Sequence, residues 1–497
     1  MSALSRRHFL AATAIGFGGL TALPASRLWA AVPHQSLSIV TRTLEINGKP
    51  AKVYGLMGPD GRPGLAFNAG DRFRVRLDNR LTEASLIHWH GLTPPNAADG
   101  VPDMTQAPLP AGNSYDYDFP LARPGTNFMH SHLGLQEQNL LAAPLIIRDP
   151  AEAHLDEQEV IVQLHDFTFR NPQDILAELQ NGMSHGGMDN DAMGHDMSQM
   201  EMSDDMPGMQ MNGMPMGQMD MSQMAMSHGT SHGTSMDLND VRFDAFLAND
   251  RTLDDPEIVP VERGGRVRLR LINAAAASNF MIDLGALRGQ LIAVDGMPVR
   301  PMTESRFALA IGQRLDLRLD LPRETGAWPI LAQLEGERAR TGIMLASKGA
   351  ATFRLGNKAD QPIGRIDALP GSLAVASQPL AARPADRRLT LDLTGDMMRY
   401  QWGLGSAPLT VKQGERVEIE MINRTAMSHP MHLHGHHFQI LAVDGKPVDG
   451  PVRDTHLVSA GGRVTIAFDA ANPGRWALHC HNLYHMVAGM MTELRYA

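Results

Sequence analysis

The feature that most limits what this chain can fold into is a strand signature written three times. Gly70-Asp71-Arg72-Phe73-Arg74-Val75-Arg76-Leu77-Asp78-Asn79 recurs as GGRVRLRLIN from Gly264 to Asn273 and as GERVEIEMIN from Gly414 to Asn423. Each copy is a turn followed by strict alternation of polar and apolar residues. Successive side chains of a strand leave opposite faces, so this pattern reads as a half-buried strand. Two copies share a second echo downstream, QLIAVDG at Gln290 to Gly296 and QILAVDG at Gln439 to Gly445. Three copies of one all-β sandwich follow. A length of 497 residues accommodates them, and 43% hydrophobic residues can fill their cores.

Histidine is placed as regularly as the strands. His88-Trp89-His90-Gly91, His130-Ser131-His132, His432-Leu433-His434-Gly435 and His479-Cys480-His481 are four His-x-His units. Each sets two imidazoles on one face of an extended segment. A lone unit of this kind is more often a satisfied polar pair than a site, but four together are not. Cys480 is the only cysteine, which leaves ligand, nucleophile or idle core residue as its roles. His485 and Met490 follow it, and His429 precedes its own pair by three residues. A thiolate, two imidazoles and a weak axial thioether are the donors of a blue copper centre. On a strand, His479 and His481 point together and away from Cys480, so they can hold a separate metal group while bonded to the thiolate residue.

The repeats also show where metal binding was dropped. Ser278 to Gly285 (SNFMIDLG) aligns without a gap on Ser428 to Gly435 (SHPMHLHG), with Asn279, Ile282 and Leu284 where the last copy has histidines. The middle copy is therefore expected to act as a spacer. A metal cluster built from the paired histidines must then lie between the first and last copies.

HWHG, HSH, HPMHLHG and HCHNLYHMVAGM resemble the four copper motifs of multicopper oxidases, and the similarity runs from about residue 35 to the C-terminus. The resemblance implies an all-β chain of three consecutive cupredoxin-like Greek-key β-sandwich domains holding four copper ions. Type 1 copper would take His429, Cys480, His485 and axial Met490, and type 2 copper His88 and His432. The type 3 pair would take His90, His130 and His481 on one side, and His132, His434 and His479 on the other. Asp99 matches an aspartate that serves relatives in proton delivery and water orientation. Many relatives also carry a glutamate just after the last type 1 histidine, where this chain has Met486 and Val487.

The chain divides into residues 1–31, 32–150, 151–350, a connector at 351–385 and 386–497. Ser5-Arg6-Arg7-His8-Phe9-Leu10, a weakly apolar run and small residues near Ala30-Ala31 read as a signal for the twin-arginine export machinery, with a periplasmic destination. A membrane anchor is the alternative reading, but the run is shorter than the ~20 residues a spanning helix needs. No membrane insertion is expected. A net charge of -10 argues against nucleic acid and suits a protein that handles cations.

One segment breaks the β pattern. Residues 183–236 hold sixteen of the 32 methionines and four histidines among Gly, Ser, Asp and Pro. Such a segment buries too little apolar surface to fold alone. Thioethers select Cu(I), so the segment reads as a copper-handling insert in the middle domain, with a plain linker as the alternative. Pro172 to Leu179 looks like a short helix opening it.

The chain is thus expected to oxidise Cu(I), and phenols or amines, one electron at a time while reducing O2 to water. Met427 matches a methionine that binds substrate Cu(I) in copper-tolerance relatives, with Thr425 where those relatives have an aspartate. Packing beside type 1 copper is the other reading of Met427. A laccase-like phenol oxidase and a copper-sequestering protein are the rival functions.

Overall fold

The three repeated strands occupy the same place in three sandwiches. The computed structural model describes residues 34–181, 238–368, 374–405 and 408–497. The export signal at 1–31 and the methionine-rich segment at 183–236 lie outside the described residues. Arg72–Asn79 runs parallel to Gln35–Ile46 and antiparallel to Ser114–Pro120. Arg266–Asn273 stands in the same way between Gln158–Phe167 and Arg314–Asp320, and Arg416–Asn423 between Arg387–Asp396 and Arg463–Asp469. The alternation explains it: Phe73, Val75 and Leu77 are fully buried, as are Val417, Ile419 and Met421. The polar faces instead meet carboxylates across the strand, as in Arg72–Asp118 and Arg266–Asp320.

The asparagine closing each copy clamps the loop after it. Asn79 donates to the carbonyls of Glu83 and Leu109, Asn273 to those of Ser278 and Leu309, and Asn423 to those of Met427 and Val458. A buried amide with every group engaged fixes backbone as a short strand would. In the last copy the clamped loop is the one that carries Thr425 and Met427.

Each module has a second sheet, and all four histidine motifs run along the second sheets of the first and last. Ile87–His90 pairs antiparallel with Gly125–Ser131, which sets His88 opposite His130. His429–Leu433 pairs antiparallel with Arg475–Cys480, which sets His432 opposite His479. Register thus turns four sequence motifs into two facing arrays. In the middle module the matching strand Phe280–Asp283 buries Ile282 completely, and Leu284 beyond it is buried too. Asn279 there donates to Glu335.

The helix expected before the insert is present at Pro172–Gln180, with proline in its first turn. Asn171 caps it by accepting from Gln173 N, and Ile175 and Leu179 fix its buried face. Among the described residues no helix is long and apolar enough to cross a membrane.

Candidate metal centre

Eight buried imidazoles converge between the first and last modules. His88, His90, His130 and His132 come from one side, and His432, His434, His479 and His481 from the other; none is more than 6% exposed. His434 Nε2 lies 3.0 Å from His479 Nε2, and His132 Nε2 lies 3.3 Å from the same atom. His90 Nδ1 lies 3.1 Å from His481 Nε2. His88 and His432 have ring centroids 5.7 Å apart. His130 stands 5.7 Å from His90 and 5.0 Å from His481 by the same measure.

The hydrogen bonds behind these rings decide what the inner nitrogens can be. His479 Nδ1 is 2.9 Å from the Cys480 carbonyl, so it must carry the proton. His434 Nδ1 is 2.9 Å from Asp99 Oδ2, with the same consequence. Both Nε2 atoms are then bare lone pairs facing each other at 3.0 Å. Two acceptors at that distance repel unless a cation lies against both, and metal–imidazole bonds of ~2 Å span the gap. The Nε2 atoms of His88, His130 and His432 are buried and have no hydrogen-bond partner, a cost that ligation removes. Burial, with neighbouring imidazoles adding to it, holds His90, His132, His432, His434 and His481 well below the usual histidine range. His479 is pushed down to about 3, chiefly by burial. Neutral rings are the form that binds metal. The donor set fits copper.

Cys480 faces the other way, as strand alternation requires. Its sulfur lies 3.7 Å from the Nδ1 atoms of both His429 and His485, which are 3.1 Å from each other. Met490 is fully buried in the same core cluster, and its carbonyl accepts from Cys480 N at 3.0 Å. Burial pushes the Cys480 thiol up, so a thiolate here needs a bound cation. Each imidazole is held from behind through Nε2: Thr425 Oγ1 is 2.7 Å from that of His429, and Asp240 Oδ2 is 2.5 Å from that of His485. Tyr400 OH donates to the same Asp240 oxygen at 2.7 Å, and the Trp402 ring lies 4.0 Å from that of His485. Met427 and Met486 pack against this core. Val487 is 39% exposed.

Asp99 is fully buried and folds back onto the cage. Besides His434, its Oδ1 lies 3.4 Å from His88 Nδ1, and its carbonyl oxygen lies 2.8 Å from the same nitrogen. Three acidic partners escaped the sequence reading, and the contact of Thr425 with His429 was not foreseen. Glu137 Oε2 is 3.1 Å from His130 Nδ1. Asp454 Oδ1 is 3.0 Å from His90 Nε2. Asp240 and Thr425 hold the thiolate site as described. Only Thr425 had a sequence signal, as the residue replacing a relative's aspartate.

Three stacked sandwiches with paired imidazoles between the outer two, and a cysteine–histidine pocket beside them, define a copper-binding oxidase architecture. Sequence models described as multicopper oxidase match residues 39–152, 191–357 and 382–497. The chain belongs to the multicopper oxidase family. It is 30% identical to the multicopper oxidase MmcO of Mycobacterium tuberculosis, over 97% of this chain and 92% of that protein. It is 26% identical to copper resistance protein A of Escherichia coli, over 92% of each. Among solved structures, Fet3p, a multicopper oxidase that functions in iron import, superposes with a TM-score of 0.72 at 17% identity, covering 93% of this chain and 90% of that one.

Proposed function

We propose that this oxidase couples one-electron oxidation of Cu(I), and of small phenols or amines, to four-electron reduction of O2 to water in the periplasm, serving copper tolerance. Type 1 copper would be held by His429, Cys480, His485 and Met490, and type 2 copper by His88 and His432. The type 3 pair would be held by His90, His130 and His481 on one side, and by His132, His434 and His479 on the other. When bound, these coppers supply the one-electron relay and the oxygen-reducing centre. The supporting observation is that bare, neutral imidazole nitrogens converge in the cage while Cys480 and two imidazoles converge beside it.

The chain's own residues do the remaining work. Cys480 is covalently bonded to His479 and His481, so the peptide itself joins the thiolate pocket to the cage. Asp99 holds the Nδ1 proton of His434 and is the carboxylate from which protons reach the cage. Glu137 gives His130 the equivalent support on the opposite wall. Asp240, itself buried, puts an anionic oxygen behind His485, and its negative charge would favour a cationic reductant.

Cu(I) is favoured as reductant by the path of the chain. The methionine-rich segment rejoins the described chain at Leu238, two residues before Asp240. Cu(I) bound by those thioethers would be covalently linked to the module that supplies Asp240, which raises its effective concentration at the site. The copper resistance protein A relatives support the physiological role. Export by the twin-arginine machinery rests on the Arg6-Arg7 signal. The laccase-like alternative is favoured by the apolar rim of Met486 and Val487, on which a phenol could lie.

Metal analysis of the loaded protein, with oxygen uptake on Cu(I) and on a phenol, tests the proposal. Four coppers per chain, a blue thiolate band lost in Cys480→Ser, and faster uptake with Cu(I) are expected. One or two coppers would overturn the four-copper assignment, and uptake with the phenol alone would transfer the role to a laccase.

A further inference from the structure

The middle module carries none of the paired histidines, yet one of its turns enters the cage wall. The turn at 310–314 joins Arg306–Leu309 to Arg314–Asp320, and Arg314 is fully buried. Its guanidinium grips Asp454 of the last module with two parallel bonds, Nη1 to Oδ1 at 2.7 Å and Nη2 to Oδ2 at 2.6 Å. Nε donates to the Thr126 carbonyl of the first module at 3.1 Å, and Nη1 to the Gly312 carbonyl at 3.0 Å. One side chain therefore ties all three modules at one point. Two glycines keep this junction clear. A Cβ on Gly91, at φ +94°, would lie 2.5 Å from Arg314 Nη2, and one on Gly312, at φ +78°, would lie 2.8 Å from His481. The HWHG glycine is thus where the arginine passes.

What Asp454 does with this support is specific to one ring. His88, His130, His432, His434 and His479 turn Nδ1 outward to protein oxygens. His90 is reversed. Its Nε2 meets Asp454 Oδ1 at 3.0 Å and Thr455 Oγ1 at 3.1 Å, and its Nδ1 faces inward. The Asp454 carbonyl also lies 2.9 Å from His432 Nδ1, and the His90 and His432 rings stack at 3.8 Å. We propose that Arg314 is a positioning residue for the cage: by clamping Asp454 it fixes which nitrogen of His90 faces the other ligands.

The proposal rests on the four-copper reading above and extends it to a module without ligands. A carboxylate buried this deeply is costly without a counter-charge. The two parallel bonds from Arg314 supply that counter-charge. Without the arginine, Asp454 would lose both bonds that hold its carboxylate and would swing, and His90 would lose the acceptor that sets its ring. The hydrogen bonds of His429 and His485 run to Thr425 and Asp240 instead, so the thiolate pocket should respond far less.

The test is copper loading of the full chain as wild type, Arg314→Gln and Arg314→Lys, read by absorption spectra and by copper retention against a chelator. Wild type is read first: failure to take four coppers there sinks the four-copper reading itself. With wild type normal, Arg314→Gln should keep the blue band, lose most of the near-ultraviolet band of the coupled type 3 pair, and hold cage copper ~10- to 100-fold more weakly, the scale for groups behind metal ligands. Arg314→Lys keeps the charge but not the fork and should fall between. If Arg314→Gln does not fold, Arg314→Lys decides. Unchanged cage retention, or blue and type 3 bands falling in parallel, would reduce Arg314 to a structural staple and overturn the proposal.

Discussion

The middle and last modules follow the same path and use it for opposite ends. Both close a repeated strand with a clamping asparagine, Asn273 and Asn423. Both then run a second-sheet strand out of the clamped loop. In the last module that strand presents His429, His432 and His434. In the middle module Ile282 and Leu284 are sealed in the core, and Asn279 is spent on Glu335 and Ile311 N. The sandwich supplies direction and register, while the side chains decide whether a strand becomes a ligand array or packing. The middle module is nevertheless more than the spacer its sequence suggested. From its edges Asp240 reaches His485 and Arg314 reaches Asp454. One pair of modules carries the converging imidazoles, and the third lends groups that hold them from behind.

If that division is real, damage should scale with distance from the ligand-bearing pair. The largest effect short of removing a ligand should come from Asp99, which belongs to the first module and contacts cage histidines of both outer modules. Asp99→Asn keeps the shape and loses the carboxylate proposed to supply protons. Turnover should fall roughly 10²-fold, the usual scale for a general acid–base group, with copper content and the blue band unchanged. Steady-state oxygen uptake measures it. Near-normal turnover would mean that Glu137 or water carries the protons instead.

A smaller effect is expected from the lending module. Asp240→Asn preserves volume but removes the charge behind His485 Nε2. Cu(I) oxidation should slow by about 10-fold, the low end for groups behind a metal ligand, with a shift of the blue band and little change in cage copper. Equal slowing with a neutral phenol would show that Asp240 orients His485 rather than attracting a cation. No slowing with either would remove the middle module from the thiolate site.

The sequence made the outer modules far more legible than the contacts between modules. Period-two alternation and three copies of one strand reveal the sandwiches, because burial of one sheet face is a local demand on residue type. The convergence of the histidines was readable because His-x-His is itself a strand-geometry statement, and because the only cysteine sits inside one. Asp240, Asp454, Arg314 and Glu137 carry no such local mark. Asp240 meets His485 across 245 positions and Asp454 meets His90 across 364, so nothing near either residue in the chain specifies the pairing. Glu137 lies in Gln136–Asn139, a polar stretch that reads as a solvated turn, yet Gln136, Glu137 and Gln138 are all buried. Buried polar groups at module interfaces answer to partners that only the assembled fold brings near.

The smallest effect should come from the segment outside both kinds of module. Deleting residues 183–236 joins the chain near Asn181 and Leu238, within the middle module and away from every cage histidine. Copper content, the blue band and thermal stability should therefore match the full chain. Cu(I) oxidation should fall only when copper is limiting, because a tether raises local concentration and adds nothing once free Cu(I) saturates the site. A several-fold rise in the Cu(I) concentration needed for half-maximal rate, at unchanged maximal rate, is the expected signature. Phenol turnover should stay level or rise as the rim near Met486 and Val487 becomes easier to reach. Identical Cu(I) kinetics with and without the segment would make it a linker, and the preference for Cu(I) would then rest on Asp240 and Met427 alone.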